Sequence, residues 1–490
     1  KRYMALNKNI GINSVENMVL FLALILYLTA AIYNSGYYHP DEHFQILEFA
    51  KWKLGQSSGT SMAWEHEAMI RPTLQPILAI LIIRLCENLG LGNPFQQAMV
   101  IRTLTALIML CSLRLFYKNA SQWVSPKHRI GFLASMLFFW VTPMISVRFS
   151  SETLCTACIL LLLAKLFKKG KPSIFDAIWI GLLVALGFEF RYQAAFAYIG
   201  ILLWGLTQRK YQFKIWFSVA LTFFCVVLLC SVLDCWFYGK PVFAPYNYYH
   251  INIVDHVAAS FGESPWYTYV CWAIMLPSPA IGLPMVVSIC AGTIKNYKNP
   301  IVWALWSFFF IHSIISHKEI RFLFPLIPLV PIFMVWTYEM LHDKQQQYMG
   351  VILVCLLTMV NIGGLIHTVF KPAAYGNIAM IQYLLERTSV QKNLEIVTIH
   401  GSNPLRLGNL QQQFYMWQPL NIIENEGHEI KEDKKSKIIV LWQADEITRE
   451  NILGRGYKEV FRTIPCWQDI LNKFFHSYNK DMVLIAYEKE

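Results

Sequence analysis

Charge is what this chain has least of. Asp, Glu, Lys and Arg together make up 15% of its 490 residues, against 55% hydrophobic and 15% aromatic; a soluble domain normally carries about 25% charged residues. The apolar residues gather in long runs, so the deficit excludes an ordinary soluble globular enzyme. A bilayer core of about 30 Å is crossed by roughly 20 mostly apolar residues in a helix, and such runs recur from residue 17 to residue 368. No basic patch with interleaved aromatics stands out, which removes nucleic acid as a partner despite a net charge of +11. HExxH is missing, and Cys155 and Cys158 form a CxxC inside the apolar LCTACILLLL with no second ligand pair, so neither a zinc hydrolase nor a zinc module is indicated. The remaining cysteines, Cys466 apart, lie in or beside apolar segments and say little about redox compartment. There is no internal repeat and no low-complexity tract. The first run, MVLFLALILYLTAAIY, lacks a convincing cleavage site and reads as a retained first helix.

What is there begins with the membrane segments, at about 17–33, 74–89, 96–116, 130–147, 152–167, 174–190, 194–207, 214–236, 272–293, 300–315, 321–340 and 348–368. Pro277, Pro279 and Pro284 suggest a tilt or break in one of them. Between the runs sit short basic clusters: Lys1, Arg2 and Lys8; Lys127 and Arg129; Lys168, Lys169 and Lys171; Arg209, Lys210 and Lys214; Lys295 and Lys298. Placing these clusters inside gives about eleven crossings with a cytoplasmic N-terminus. Segment 74–89, short and containing Arg84, is then re-entrant or interfacial. This arrangement brings stretches 34–73, 148–152, 189–193, 238–268 and 316–321 to one non-cytoplasmic face. From residue 371 the composition changes: an amphipathic helix, IAMIQYLLERT, precedes the strand-like runs EIVTIH, KIIVLWQ, EVFRTI and MVLIAYE and the polar ENEGHEIKEDKKSK. Residues 371–490 are expected to form a small α/β domain on the outer side, and residues 1–370 the transmembrane domain.

The chemistry concentrates in two stretches. YYHPDEHFQ, with WEHEAMIRP after it, puts His39, Asp41, Glu42, His43, Gln45, Glu65, Glu67 and Arg71 just beyond a hydrophobic helix; ionisable residues at a membrane mark functional sites by default. For Asp41 alone the plainer reading is an N-cap for a helix over 42–53. SHKEIRFLFP places His317, Lys318, Glu319 and Arg321 at a membrane boundary. Basic side chains that snorkel from a helix end are the plain alternative; a cationic cluster on the outer face suits a lipid phosphate better. Glu152, in SSET, starts one helix as a cap or a dipole partner. Glu189 and Arg191 end another, where a buried Glu–Arg pair is an alternative. The aromatic, amide-rich loop APYNYYHINIVDHVAASFGESPWYTY suits carbohydrate, although interfacial belts are equally rich in Tyr and Trp.

At these residues the chain resembles glycosyltransferase family 22. HPDEHFQ followed by WEHEAMIRP, then SSET, RYQ, the Asn- and PWYTY-containing loop and SHKEIRF agree with its signatures in order and spacing over residues 37–328. HPDEHFQ is most similar to the branch that adds the third mannose of glycosylphosphatidylinositol anchors. WEHE stands in place of TWEW, IRP in place of IRS, and Ser61, Met62 and Ala63 stand near an expected Thr. The resemblance implies an all-α polytopic GT-C fold, a dolichyl- or polyprenyl-phosphate mannose donor, a lipid-linked glycan acceptor, and inversion. The chemistry of such a transfer assigns Asp41 as base with Glu42 orienting the acceptor or Asp41, and His317, Lys318 and Arg321 to the donor phosphate, with Arg71 and Arg191 as secondary candidates. His39, Gln45, Trp64, Glu65, Asn247 and Trp266 fall to the acceptor or sugar.

Proton removal from the acceptor and cationic stabilisation of a departing phosphate are what such a transfer needs. A divalent cation, Mg or Mn, between carboxylates and phosphate stays open; no metal-ligand set is assigned. A transporter of a lipid or sugar would predict midplane charges and paired repeats, and a structural subunit would not depend on the acidic pair. The membrane is the endoplasmic reticulum in a eukaryote or the plasma membrane in a bacterium. The lone sequon, Asn119-Ala120-Ser121, falls in an inner loop, which leans toward a bacterial source.

Overall fold

A computed structural model describes every residue except 1, 58–61, 169, 209–210, 277–278, 342, 393, 428–436 and 490. Ser61, Lys169, Arg209, Lys210, Pro277 and most of the polar ENEGHEIKEDKKSK stretch lie outside the described residues, as do the side chains of residues 2–13 and of Pro279. The chain divides into two compact units: Lys1–Thr29, Ala68–Gln75 and Thr103–Leu365 make the first, and Ala30–Glu67, Pro76–Arg102 and Ile366–Glu490 the second.

The first unit is helical. Among the described residues of the chain, five helices are long and apolar enough to cross a membrane: Ser14–Tyr33, Pro94–Trp123, Phe213–Tyr238, Ile320–Tyr338 and Lys344–Phe370, with shorter apolar helices at Ala194–Thr207, Ala280–Asn296 and Pro300–Ile314. The protein is a multi-pass membrane protein. Helix ends follow local chemistry. Ser173 accepts from the Asp176 N–H at 3.1 Å while Asp176 accepts from the Ser173 N–H at 2.9 Å, a capping box that starts Ile174–Phe190. Gly239, at φ 73°, ends Phe213–Tyr238 in the left-handed conformation glycine tolerates. Small residues set how closely helices approach. A Cβ on Gly181 would fall 2.7 Å from the Val219 carbonyl oxygen, so Ile174–Phe190 and Phe213–Tyr238 pack backbone to backbone there.

Three segments read as single runs are interrupted. The stretch 130–147 becomes Arg129–Phe138 and Val141–Ser146. At the break the Asn361 side chain accepts from the Trp140 N–H at 2.8 Å and donates to the Phe138 carbonyl at 2.7 Å, replacing two lost helical bonds. The stretch 321–340 opens as a 3-10 helix, Ile320–Leu329, because Pro325 and Pro328 supply no N–H, and turns α-helical over Val330–Tyr338. The stretch 272–293 separates into Thr268–Met275 and Pro279–Asn296.

In the second unit the C-terminal residues form a five-stranded sheet: β1 (Glu395–Ile399), β2 (Ile422–Asn425), β3 (Lys437–Trp442), β4 (Tyr457–Arg462) and β5 (Leu484–Lys489). Its order is β2-β1-β3-β5-β4, with β1 parallel to β2 and β3, and β5 antiparallel to β3 and β4. Alternation decides the faces. Ile396, Ile438, Val440, Leu484 and Ala486 pack on Met380 and Leu384 of helix Asn377–Val390. Val397, Ile399, Ile439, Leu441, Ile485 and Tyr487 pack with Ile452 of helix Glu446–Gly454. The small α/β element read from the sequence is present; β2 was hidden in its polar surroundings.

Candidate active site

In the helical unit, four signature stretches converge on one buried ion-pair network. Ser150 caps helix Ser151–Leu166, its hydroxyl accepting from the Thr153 N–H at 3.2 Å. Glu152 is therefore spared for other work. Its Oε1 accepts from Arg191 Nη1 at 2.8 Å and lies 3.4 Å from Arg321 Nη1, while Arg191 Nη1 also reaches Ser151 Oγ at 3.1 Å. Arg321 pairs with Glu319 through Nε and, at 3.1 Å, through Nη2. His317 Nε2 lies 3.1 Å from Glu319 Oε1 and Nδ1 lies 3.1 Å from the Gly262 carbonyl. Both guanidinium groups lie over Phe322, with Cζ at 4.9 Å for Arg191 and 5.4 Å for Arg321. Glu152, Arg191 and Arg321 are all buried. Arg191 nonetheless keeps Nε and Nη2 without a hydrogen-bond partner among the described residues.

Lys318 is placed differently. Its ammonium donates to the Ser264 and Ile315 carbonyls, the first at 2.9 Å, and sits 6.0 Å from the Tyr269 ring centre. Burial pushes it below the ordinary lysine value. With two carbonyls already served, Lys318 fastens the 262–268 loop to the SHKE turn; the Ser264 N–H to Ser316 carbonyl bond, 2.9 Å, does the same. Trp266 in that loop is exposed.

Arg71 belongs to the same unit, with its guanidinium 5.8 Å from the Tyr248 ring centre and its carbonyl accepting from Tyr238 Oη at 2.9 Å. Asn247 donates to the Met69 carbonyl at 3.3 Å. The Glu189–Arg191 pair is overturned: Arg191 turns to Glu152, and Glu189 instead feels the charge of Asp234. Asp234 was not singled out from the sequence, and Glu319 was named there without a role of its own. For Asp234 the signal was available, an Asp inside a 26-residue apolar helix.

The acidic loop lies in the second unit. Asp41 is not its N-cap, contrary to the plain reading. The turn Pro40–Glu42 is capped by His39, whose Nδ1 accepts from the Asp41 N–H at 3.3 Å, because Pro40 fits the first helical position. Glu42, three residues after the cap, accepts from the Tyr38 N–H at 3.1 Å and the His39 N–H at 3.4 Å. The Asp41 carboxylate stays partly exposed, 3.5 Å from His39 Nδ1. Beyond it the chain runs through a π-helical turn, His43–Leu47, into helix Glu48–Lys53. Gln45 donates to Glu65 Oε1 at 2.8 Å, joining HPDEHFQ to WEHE, whereas Trp64 is exposed.

The loop is also gripped by the C-terminal region. Glu48 Oε1 accepts from His43 Nε2 at 2.7 Å and from the Phe414 N–H at 2.8 Å. His43 stacks against Tyr37 at 5.5 Å and Tyr415 at 5.6 Å. The buried Lys51 ammonium donates to the carbonyls of Gln413, Phe414 and Met416, the last two at 3.2 and 3.1 Å. Burial lowers its affinity for the proton and the Glu48 charge works against that. Among the described residues no group of three or more His, Cys, Asp or Glu side chains converges as a metal site.

A helical membrane unit with buried arginines at one end of its helices and a motif-bearing loop defines the GT-C class of glycosyltransferase fold. ArnT from Cupriavidus metallidurans, crystallised with undecaprenyl phosphate, superposes with a TM-score of 0.52 at 11% identity, covering 96% of this chain and 97% of that one. Its apo crystal structure gives 0.51 at 10% identity, covering 97% of this chain and 98% of that one. The chain belongs to the Alg9-like mannosyltransferase family, matched over residues 18–403. It is similar to GPI alpha-1,2-mannosyltransferase 3 of Danio rerio, 25% identical over 72% of this chain and 65% of the relative's length. GPI mannosyltransferase 3 of Yarrowia lipolytica is 26% identical over 71% of this chain and 66% of its own length.

Proposed function

We propose that the protein moves a mannosyl residue from a polyprenyl- or dolichyl-phosphate donor to a hydroxyl of a lipid-linked glycan, with inversion at the anomeric carbon. The observation that carries this reading is Arg191, 5% exposed and holding two nitrogens, Nε and Nη2, that no acceptor among the described residues takes. A buried cation in that state is costly unless an anion completes it. Arg321, joined to it through Glu152, supplies a further guanidinium, and His317 is held to Glu319 in the same network, groups of the kind a phosphate leaving group needs. A structural neighbour carrying undecaprenyl phosphate supports the same class of ligand. The names of the relatives favour a glycosylphosphatidylinositol-type acceptor and an α-1,2 linkage.

In this scheme the acceptor oxygen attacks the anomeric carbon, the carbon–oxygen bond to phosphate breaks, and polyprenyl phosphate leaves with the bonding pair. Asp41 takes the hydroxyl proton. Its partly exposed carboxylate suits that role, and the backbone bonds that hold Glu42 suit an orienting one. Lys318 acts by fixing the loop beside the phosphate. The site opens on the non-cytoplasmic face. Incubating purified protein with polyprenyl-phosphate mannose and candidate lipid-linked glycans, read by mass spectrometry, should show addition of one hexose. Absence of any hexose-bearing product across a glycan panel would overturn the proposal.

A further inference from the structure

Glu189 is 1% exposed and takes part in no hydrogen bond or ion pair among the described residues, with Oε1 sealed from solvent. Asp234, also 1% exposed, uses Oδ1 to accept from the Thr73 N–H at 2.8 Å and the Thr73 hydroxyl at 2.6 Å, and leaves Oδ2 without a partner. The Tyr192 hydroxyl, on a residue only 9% exposed, is unpartnered as well. These atoms form one cluster. Asp234 lies within electrostatic reach of Glu189, and both lie within reach of Tyr192, which packs edge-on against Tyr248 at 5.1 Å.

Two buried carboxylates and a phenol with spare capacity are expensive where no water competes, and ionisable groups at such depth mark substrate contacts. The spare atoms are mainly acceptors, which a phosphate cannot satisfy and a sugar's adjacent hydroxyls can. Position agrees. Glu189 stands two residues before Arg191 and Tyr192 one residue after it, so the subsite and the donor-phosphate cation share one stretch of chain.

We infer that Glu189, Asp234 and Tyr192 form a hydroxyl-binding subsite that holds a hexose of the lipid-linked substrate. The inference rests on the polyprenyl-phosphate reading above. The test measures equilibrium binding of the full chain in nanodiscs to bare polyprenyl phosphate, to polyprenyl-phosphate mannose, and to a mannose-terminated glycolipid. Glu189→Gln and Asp234→Asn should weaken a mannose-bearing ligand by about 10- to 100-fold and leave bare polyprenyl phosphate unchanged. Loss confined to polyprenyl-phosphate mannose assigns the subsite to the donor sugar, and loss confined to the glycolipid assigns it to the acceptor; both support it. Tyr192→Phe, which removes an unpartnered hydroxyl, should fold normally and weaken the same ligand by about threefold to tenfold. If wild type fails to bind bare polyprenyl phosphate, the donor-phosphate reading falls, and the glycolipid arm still decides the subsite. Variants that melt like wild type and keep its affinity for both mannose-bearing ligands would overturn it.

Discussion

Replacing Asp41 with Asn separates catalysis from folding, because His39 and not Asp41 caps the helix. The variant should melt as wild type does and lose at least about 100-fold in mannosyl transfer, the lower range for removing a positioned base. Glu42→Gln keeps one acceptor oxygen for the Tyr38 and His39 amides and should lose less. If both variants stay active, the base lies outside this loop. At the anion site, Arg321→Gln removes a charge whose hydrogen bond to phosphate is worth about 1.5–3 kcal/mol, so donor use should fall about 10- to 100-fold. Glu152→Gln should also impair donor use without touching the lipid, by loosening both arginines. Steady-state kinetics against donor concentration checks each. Unchanged donor dependence in Arg321→Gln would place the phosphate elsewhere.

At the scale of elements, Asn361 is the residue that lets Arg129–Phe138 and Val141–Ser146 part company. Asn361→Ala strands a part-buried N–H and C=O, each costing up to about 1–3 kcal/mol, and should lower the melting temperature measurably in detergent. Asn361→Asp keeps the acceptor and should fall between. This break was illegible in the sequence because its remedy comes from a residue some two hundred positions away. The apolar run 130–147 carries no mark of it apart from Pro143. Local chemistry was easier to read. The β-type runs that hold β1, β3, β4 and β5 were legible in their own residues, and SHKEIRF, RYQ and SSET bring Arg321, Arg191 and Glu152 together. What neighbours in sequence could not tell was partner choice. Arg191 lies two residues from Glu189 and pairs with Glu152, and Lys318 spends its charge on carbonyls while its neighbour Glu319 takes Arg321.

At the scale of the molecule, the basic clusters make a prediction about sidedness. In a background with its native cysteines replaced, Lys171→Cys and Lys298→Cys should react with an impermeant thiol reagent only from the cytoplasm, and Glu263→Cys only from the opposite face. Labelling of position 171 from outside would undo the common face on which the motifs are proposed to meet. The clasp made by Lys51 and Glu48 on residues 413–416 has a different consequence, for how the chain can be cut and recombined. It lies past residue 403, where the family match ends. A chimera that exchanges the C-terminal α/β region at that boundary would graft a foreign segment onto His43, Glu48 and Lys51, in the helical run that begins at Pro40 and carries Asp41. Such a hybrid should lose transferase activity though each parent half is sound, and regain it when residues 412–417 travel with the loop they hold. The acidic loop and the segment that grips it should be exchanged as one piece.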